Sequence, residues 1–90
     1  MANINDNTDI KYDLKSIVRI IEEKSGQKAK LDTKLGTDYL FSNVELDTIT
    51  DIGFKFKEMT NKCGFVTPIY KLGNIEAIYI EQILYVYNVL

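Results

Sequence analysis

Ser42-Asn43-Val44-Glu45 brings together a hydroxyl, a carboxylate and the start of an apolar-periodic segment. The spacing is that of a capping box, in which the serine hydroxyl accepts from the backbone N–H three residues on and the glutamate reaches back. Phe41 before it and Leu46 after it are placed to close a hydrophobic staple. The surroundings are acidic. Residues 35–52 hold Asp38, Glu45, Asp47 and Asp51 and no basic group, whereas residues 11–34 hold seven basic against four acidic side chains. An acidic patch in a nearly neutral chain suits docking onto a basic partner surface. The same acids equally suit a solvated helix face near its N-terminus, where the dipole favours them. Asp47 and Asp51 stand one helical turn apart, but no third ligand accompanies them for a cation.

The remaining chemistry is sparse. The chain has no histidine, which removes Ser-His and Cys-His pairs and the commonest metal ligand. Cys63 is the single cysteine, so no internal disulfide forms; it reads as a small core residue. The glycines are isolated and build no phosphate cradle. An active site of the chain's own is not expected. A net charge of −2 argues against nucleic acid as the main partner. The opening MANINDNTDIKYD is polar and no apolar run approaches the roughly 20 residues that span a bilayer, so the expectation is a cytoplasmic protein.

Ninety residues, 46% of them apolar, make one domain. Residues 1–8 read as a disordered lead-in and 9–90 as a single helical domain. Thr8 or Asp9 caps a first helix whose Ile10, Leu14, Ile17, Val18 and Ile21 share a face, with Gly26 as its stop. Residues 26–41 form a long loop whose Leu31, Leu35, Tyr39, Leu40 and Phe41 press back on the core. A second helix starts at Ser42 and carries Leu46, Ile49, Ile52, Gly53, Phe56, Met59 and Cys63 on one face, ending at Gly64. Residues 64–74 connect, with Pro68 forbidding helix, and Asn74 caps a last helix over 75–90. In that helix Ile75, Tyr79, Ile83, Val86 and Leu90 form a stripe. So apolar a helix must be covered by another copy or a partner, unless LYVYNVL is extended, as its β-branched and aromatic content also allows. Tyr70, Tyr79, Tyr85 and Tyr87 suit either an interface or a core with hydroxyls reaching water.

The order of these pieces resembles the acyl carrier protein family over about Leu14 to Ile83. IVRIIEEKSG (17–26) looks like that family's first helix, and LDTKLGTD (31–38) is similar to the segment before its modified serine. VELDTITDIGFKF (44–56) resembles its second helix, and KLGNIEAIYI (71–80) the entry to its last. The family's Asp-Ser-Leu triplet is absent. Counted back from Val44 the serine position falls at Leu40, and counted forward from Leu35 it falls at Tyr39. Ser42 is the nearest serine, flanked by Phe41 and Asn43 where the family has an acid and Leu or Met.

The resemblance implies an all-α bundle of three to four helices. It further implies a role in fatty acid or polyketide biosynthesis, carrying an acyl group on 4′-phosphopantetheine to partner enzymes. Ser42 would be the attachment point and Asp38, Glu45, Asp47 and Asp51 the docking acids. The alternative is an unmodified helical interaction module, such as an adaptor, chaperone or immunity-type protein, assembling as a homodimer through residues 75–90.

Overall fold

A computed structural model describes residues 11–31, 39–62 and 64–89. The lead-in 1–8, Leu35, Asp38, Cys63 and Leu90 lie outside the described residues. The elements run α1 (Leu14–Ser25), β1 (Lys30–Leu31), β2 (Tyr39–Phe41), α2 (Leu46–Ile52), β3 (Lys55–Lys62), β4 (Phe65–Leu72), β5 (Ile75–Ile80) and β6 (Ile83–Asn88). The all-α bundle is therefore overturned. Among the described residues, six strands form one antiparallel sheet in the order β1-β2-β6-β5-β4-β3, with two short helices.

The last forty residues decide this. Their strands are rich in Ile, Val, Tyr and Phe, whose branched or aromatic side chains fit a pleated surface better than a helix. Two-residue turns separate the runs. Leu72 pairs with Ile75 across Gly73-Asn74, and Ile80 pairs with Ile83 across Glu81-Gln82. Gly73 has φ 58, as the first position of a II′ hairpin turn requires. Asn74 is thus a hairpin residue and not a helix cap. The stripe expected along residues 75–90 does not exist either. Ile75, Ala77 and Tyr79 share a face with Leu84 and Val86, while Ile83 pairs with Ile80 on the other.

The first helix matches its expected face and stop, although it begins later. Asp13 caps it by accepting from the Ser16 N–H at 3.2 Å, Gly26 closes it at φ 75, and Ile17, Val18 and Ile21 are buried. The second helix is cut short. Gly53, at φ 129, donates to the carbonyls of Ile49 and Thr50, and Phe54 donates to Ile49 as well. No L side chain adopts that φ comfortably, so Gly53 is a stop. Beyond it Phe56 and Met59 continue as strand.

One face of the sheet packs beneath the helices. Ile17, Val18 and Ile21 of α1 and Ile49 of α2 join Phe41, Val44, Phe54, Leu72, Ile75, Ala77, Leu84 and Val86 in one cluster. The loop expected to press on the core does so at Phe41, fully buried, and at half-buried Tyr39, but Leu31 is 70% exposed. The amide of Asn74 ties the chain entering α1 to the sheet. It accepts from the Tyr12 N–H, and its Nδ2 donates to the Tyr12 carbonyl at 2.9 Å and to Asn88 Oδ1 at 3.1 Å.

The turn at Glu81-Gln82 carries φ values of 48 and 70 on two ordinary residues, the geometry that Asn-Gly adopts without strain. Replacing Glu81 alone (Glu81→Asn), which keeps the Gln82–Glu45 bond, should raise stability by up to about 1 kcal/mol in denaturant unfolding, since left-handed backbone costs most side chains more than it costs asparagine. No change or a loss would contradict this turn.

Candidate functional site

Ser42 is exposed and belongs to a bend between β2 and α2, not to a helix start. The N-cap of α2 is Glu45, with no side-chain bond to the helix, so the capping box does not form. Asn43 takes up the turn at φ 60, carrying the chain from β2 towards the helix. Glu45, Asp47 and Asp51 are exposed. Glu45 accepts from Gln82 Nε2 at 3.0 Å, which brings the β5–β6 turn and exposed Glu81 to the same end of the molecule. The Val44 carbonyl accepts from the Tyr79 hydroxyl at 2.7 Å, and the Val44 N–H donates to the Gln82 carbonyl at 2.9 Å. Burial first, and then the charge of Glu45, pushes the Tyr79 phenol above its ordinary value.

A second polar group lies on the opposite face of the sheet. Glu76, the second residue of β5, is 5% exposed. A carboxylate so placed must be paired or neutralised. Lys57 donates to its Oε2 at 2.7 Å and the Tyr87 hydroxyl to its Oε1 at 2.9 Å. Lys57 reaches it because of a β-bulge. The register of β3 against β4 shifts between Phe56 and Glu58, so Lys57 and Glu58 both turn to the face of Glu76. The hydrogen bond to Glu76, then its charge, raises the Lys57 amine above its ordinary range. Burial, then the bond to Glu76, raises the Tyr87 phenol.

The third feature is apolar. β5 pairs only with Ile69 to Leu72 of β4, whereas β3 pairs with the whole of β4 from Phe65 to Lys71. The far part of the β3–β4 hairpin is therefore a two-stranded ribbon extending past the end of β5. On the helix-side face of the hairpin, Phe56 (56% exposed) at the foot of the ribbon and Met59 (52%) and Val66 (69%) on the ribbon itself line up beside half-buried Pro68 and Tyr70. The rings of Phe56 and Tyr70 meet edge to face at 5.9 Å. α1 lies against α2 and β6, and Phe56, Met59 and Val66 stay more than half exposed.

Sequence reasoning placed Phe56 and Met59 on the buried stripe of a helix. The signal that could have found them is the pair of short runs KFKEMTNK and FVTPIY, the second rich in β-branched and aromatic residues, separated by Cys63-Gly64 as hairpin strands are. The tyrosines set aside as interface or core are largely committed. Tyr79 and Tyr87 are hydrogen-bonded and Tyr70 stacks on Phe56.

No group of three metal-ligating side chains occurs among the described residues, and no helix is long and apolar enough to cross a membrane. Among its described lining residues, the hollow bounded by Tyr12, Asp13, Leu31 and Tyr39 holds one carboxylate and no serine, cysteine or histidine. No protein-family model matches the chain, and no curated protein or solved structure is significantly similar to it.

Ser42→Ala should leave stability within about 0.5 kcal/mol of the parent, as for a surface change that touches no cap. A loss of about 1 kcal/mol or more in thermal unfolding would restore Ser42 as a cap. The Glu76 cluster predicts alkaline lability. Lys57 and Tyr87 hold their protons more tightly in the folded than in the unfolded chain, whose ordinary values are 10.5 and 10.0. Their stabilisation is therefore intact below about pH 10 and is lost as pH rises through the folded values. Denaturant midpoints measured from about pH 8 to 12 should fall more steeply for the parent than for Tyr87→Phe; equal slopes would contradict the linkage.

Proposed function

We propose that this chain is a non-catalytic protein-binding module whose contact surface is the apolar face of the β3–β4 ribbon. The observation that carries the reading is the row of Phe56, Met59 and Val66, each more than half exposed on one face that the helices leave uncovered. Contiguous apolar surface of this kind marks interaction sites, and its aromatic and Met content is that of interface cores. The exposed acids Glu45, Asp47 and Asp51 lie on another element and would rim or steer an approaching basic partner. A cytoplasmic setting belongs to this reading, since a sequence with one cysteine needs no oxidising compartment to fold.

The phosphopantetheine role is the weaker reading because its structural premise is gone. Residues 55–62 and 75–88 are strands where a carrier's second and last helices would stand, and Ser42 is not at a helix N-terminus. A partner enzyme that recognises a helical carrier would find a sheet edge.

Two measurements test the proposal together. Incubation with coenzyme A and a broad-specificity phosphopantetheinyl transferase should leave the intact mass unchanged; a gain of one arm that Ser42→Ala abolishes would overturn the reading in favour of the carrier. A photo-crosslinking residue at position 59, in cells that produce the protein, should give a discrete protein adduct, while one at exposed position 19 on α1 should give none. Equal labelling from both positions, or none from 59, would remove the ribbon as the contact surface.

A further inference from the structure

We infer that the partner seated on this ribbon is a second copy of the chain, added antiparallel along the free edge of β3. The inference rests on reading the ribbon as a protein-binding surface and supplies its occupant. Among the described residues β3 ends the sheet order, and its eight residues make the longer of the two edges, since β1 at the other end has two. An unpaired edge is a template for another strand.

The ladder determines which groups that edge offers. Lys62 and Phe65 are partners across a two-residue loop, where a hairpin makes its hydrogen-bonded closing pair, and pairs then alternate along the strands. Met59 falls opposite Pro68, which has no N–H to exchange, so that pair is a wide one and the Met59 N–H and C=O turn to the free edge. Beyond the bulge, where Lys57 and Glu58 share one partner residue, the next outward groups are those of Phe56. The edge therefore presents Phe56 and Met59 with the bulged Lys57-Glu58 between them.

That arrangement is complementary to itself. A two-fold axis between Lys57 and Glu58 sets Phe56 opposite Met59 of the second copy and Met59 opposite its Phe56. The outward N–H and C=O groups then meet at equal spacing on both strands. The same axis sets Lys57 opposite Glu58, twice, and Lys55 opposite Thr60. The bulge makes this register possible. It changes the facing parity of the strand between Lys57 and Glu58, so every facing pair lies on one face of the sheet: Phe56 and Met59 on the apolar side, the charges on the other. Without the bulge, the same pairing would put apolar opposite charged.

Lysines and bulges on an edge ordinarily repel an added strand. Here a glutamate follows the lysine on the same face and lies 3.9 Å from it, while the lysine bonds Glu76, so a second copy sets each of these charges beside one of opposite sign where an unrelated strand brings none. A closed two-fold contact of this kind also uses up the edge and stops at two copies.

Light scattering and sedimentation of the full chain across a concentration series provide the test. The expected result is a monomer–dimer equilibrium. Glu58→Lys replaces both attractive pairs by lysine facing lysine and should weaken the dimer by at least about tenfold. Met59→Pro removes an outward N–H that the parent fold does not use, so it should abolish the dimer while preserving the melting transition of the monomer. A chain that stays monomeric at all concentrations overturns the inference, and adducts from position 59 to a different protein would then leave the proposed function standing. A dimer that resists both Glu58→Lys and Met59→Pro overturns it too, because association would then use another surface.

Discussion

The register of β5 is the constraint on which the rest of the structure depends. Its neighbours β4 and β6 fix it from both sides, through Lys71 opposite Glu76 and Glu76 opposite Tyr87. In this register Ile75, Ala77 and Tyr79 face the helices, and Glu76 faces Lys57 and Tyr87. A slip by one residue would drive the Glu76 carboxylate under α1 and expose the residues that α1 now covers. Burying that charge without a partner is far costlier than losing any single apolar contact in the cluster. The apolar face and the buried ion pair therefore enforce the same alignment, one by what it gathers and the other by what it excludes.

With β5 placed, the layout of the molecule follows. Two tight turns put β4 and β6 beside it, and β2 then adds to β6. The short elements around β2 and α2 gather at the β5–β6 turn, where Tyr79, Val44, Gln82 and Glu45 are joined by hydrogen bonds. Those bonds hold a turn whose two central residues both have positive φ. Because both helices are used at this side of the sheet, none is left for β3. The hairpin that carries Phe56, Met59 and Val66 is longer than its neighbour β5 and extends past it. The uncovered face is thus a consequence of strand lengths and helix placement.

Part of this was legible in the chain. The α1 face of Ile17, Val18 and Ile21 and the stop at Gly26 follow from helical spacing and the freedom of glycine, and both stand in the structure. Residues 44–63 misled because Leu46, Ile49, Ile52, Phe56 and Met59 fit a helical stripe, and seven residues of real helix begin it. Local pattern does not say that Gly53 breaks the run; the break lets Phe54 join Leu72 in one core cluster. The tail misled for the opposite reason. Its composition favoured strand, but a strand needs a partner, and the partners were hidden in segments read as helix and loop. Gly73-Asn74 between two β-rich runs was the hairpin signal, masked by the equal fitness of Asn as a helix cap. At the candidate site, Ser42 and the acids drew attention through spacing. Lys57, Glu76 and Tyr87 could not, because only the bulge and the strand order bring them together.

The central claim is that residues 69–88 form a three-stranded antiparallel unit in one register. Proton NMR tests it most directly, through the Hα–Hα contacts that only wide antiparallel pairs produce. The account predicts strong cross-strand contacts between Ala77 and Val86, and between Lys71 and Glu76. Contacts from each Hα to the amide three residues on, running through 75–88, would mean a helix and would contradict it. So would cross-strand contacts offset by one residue.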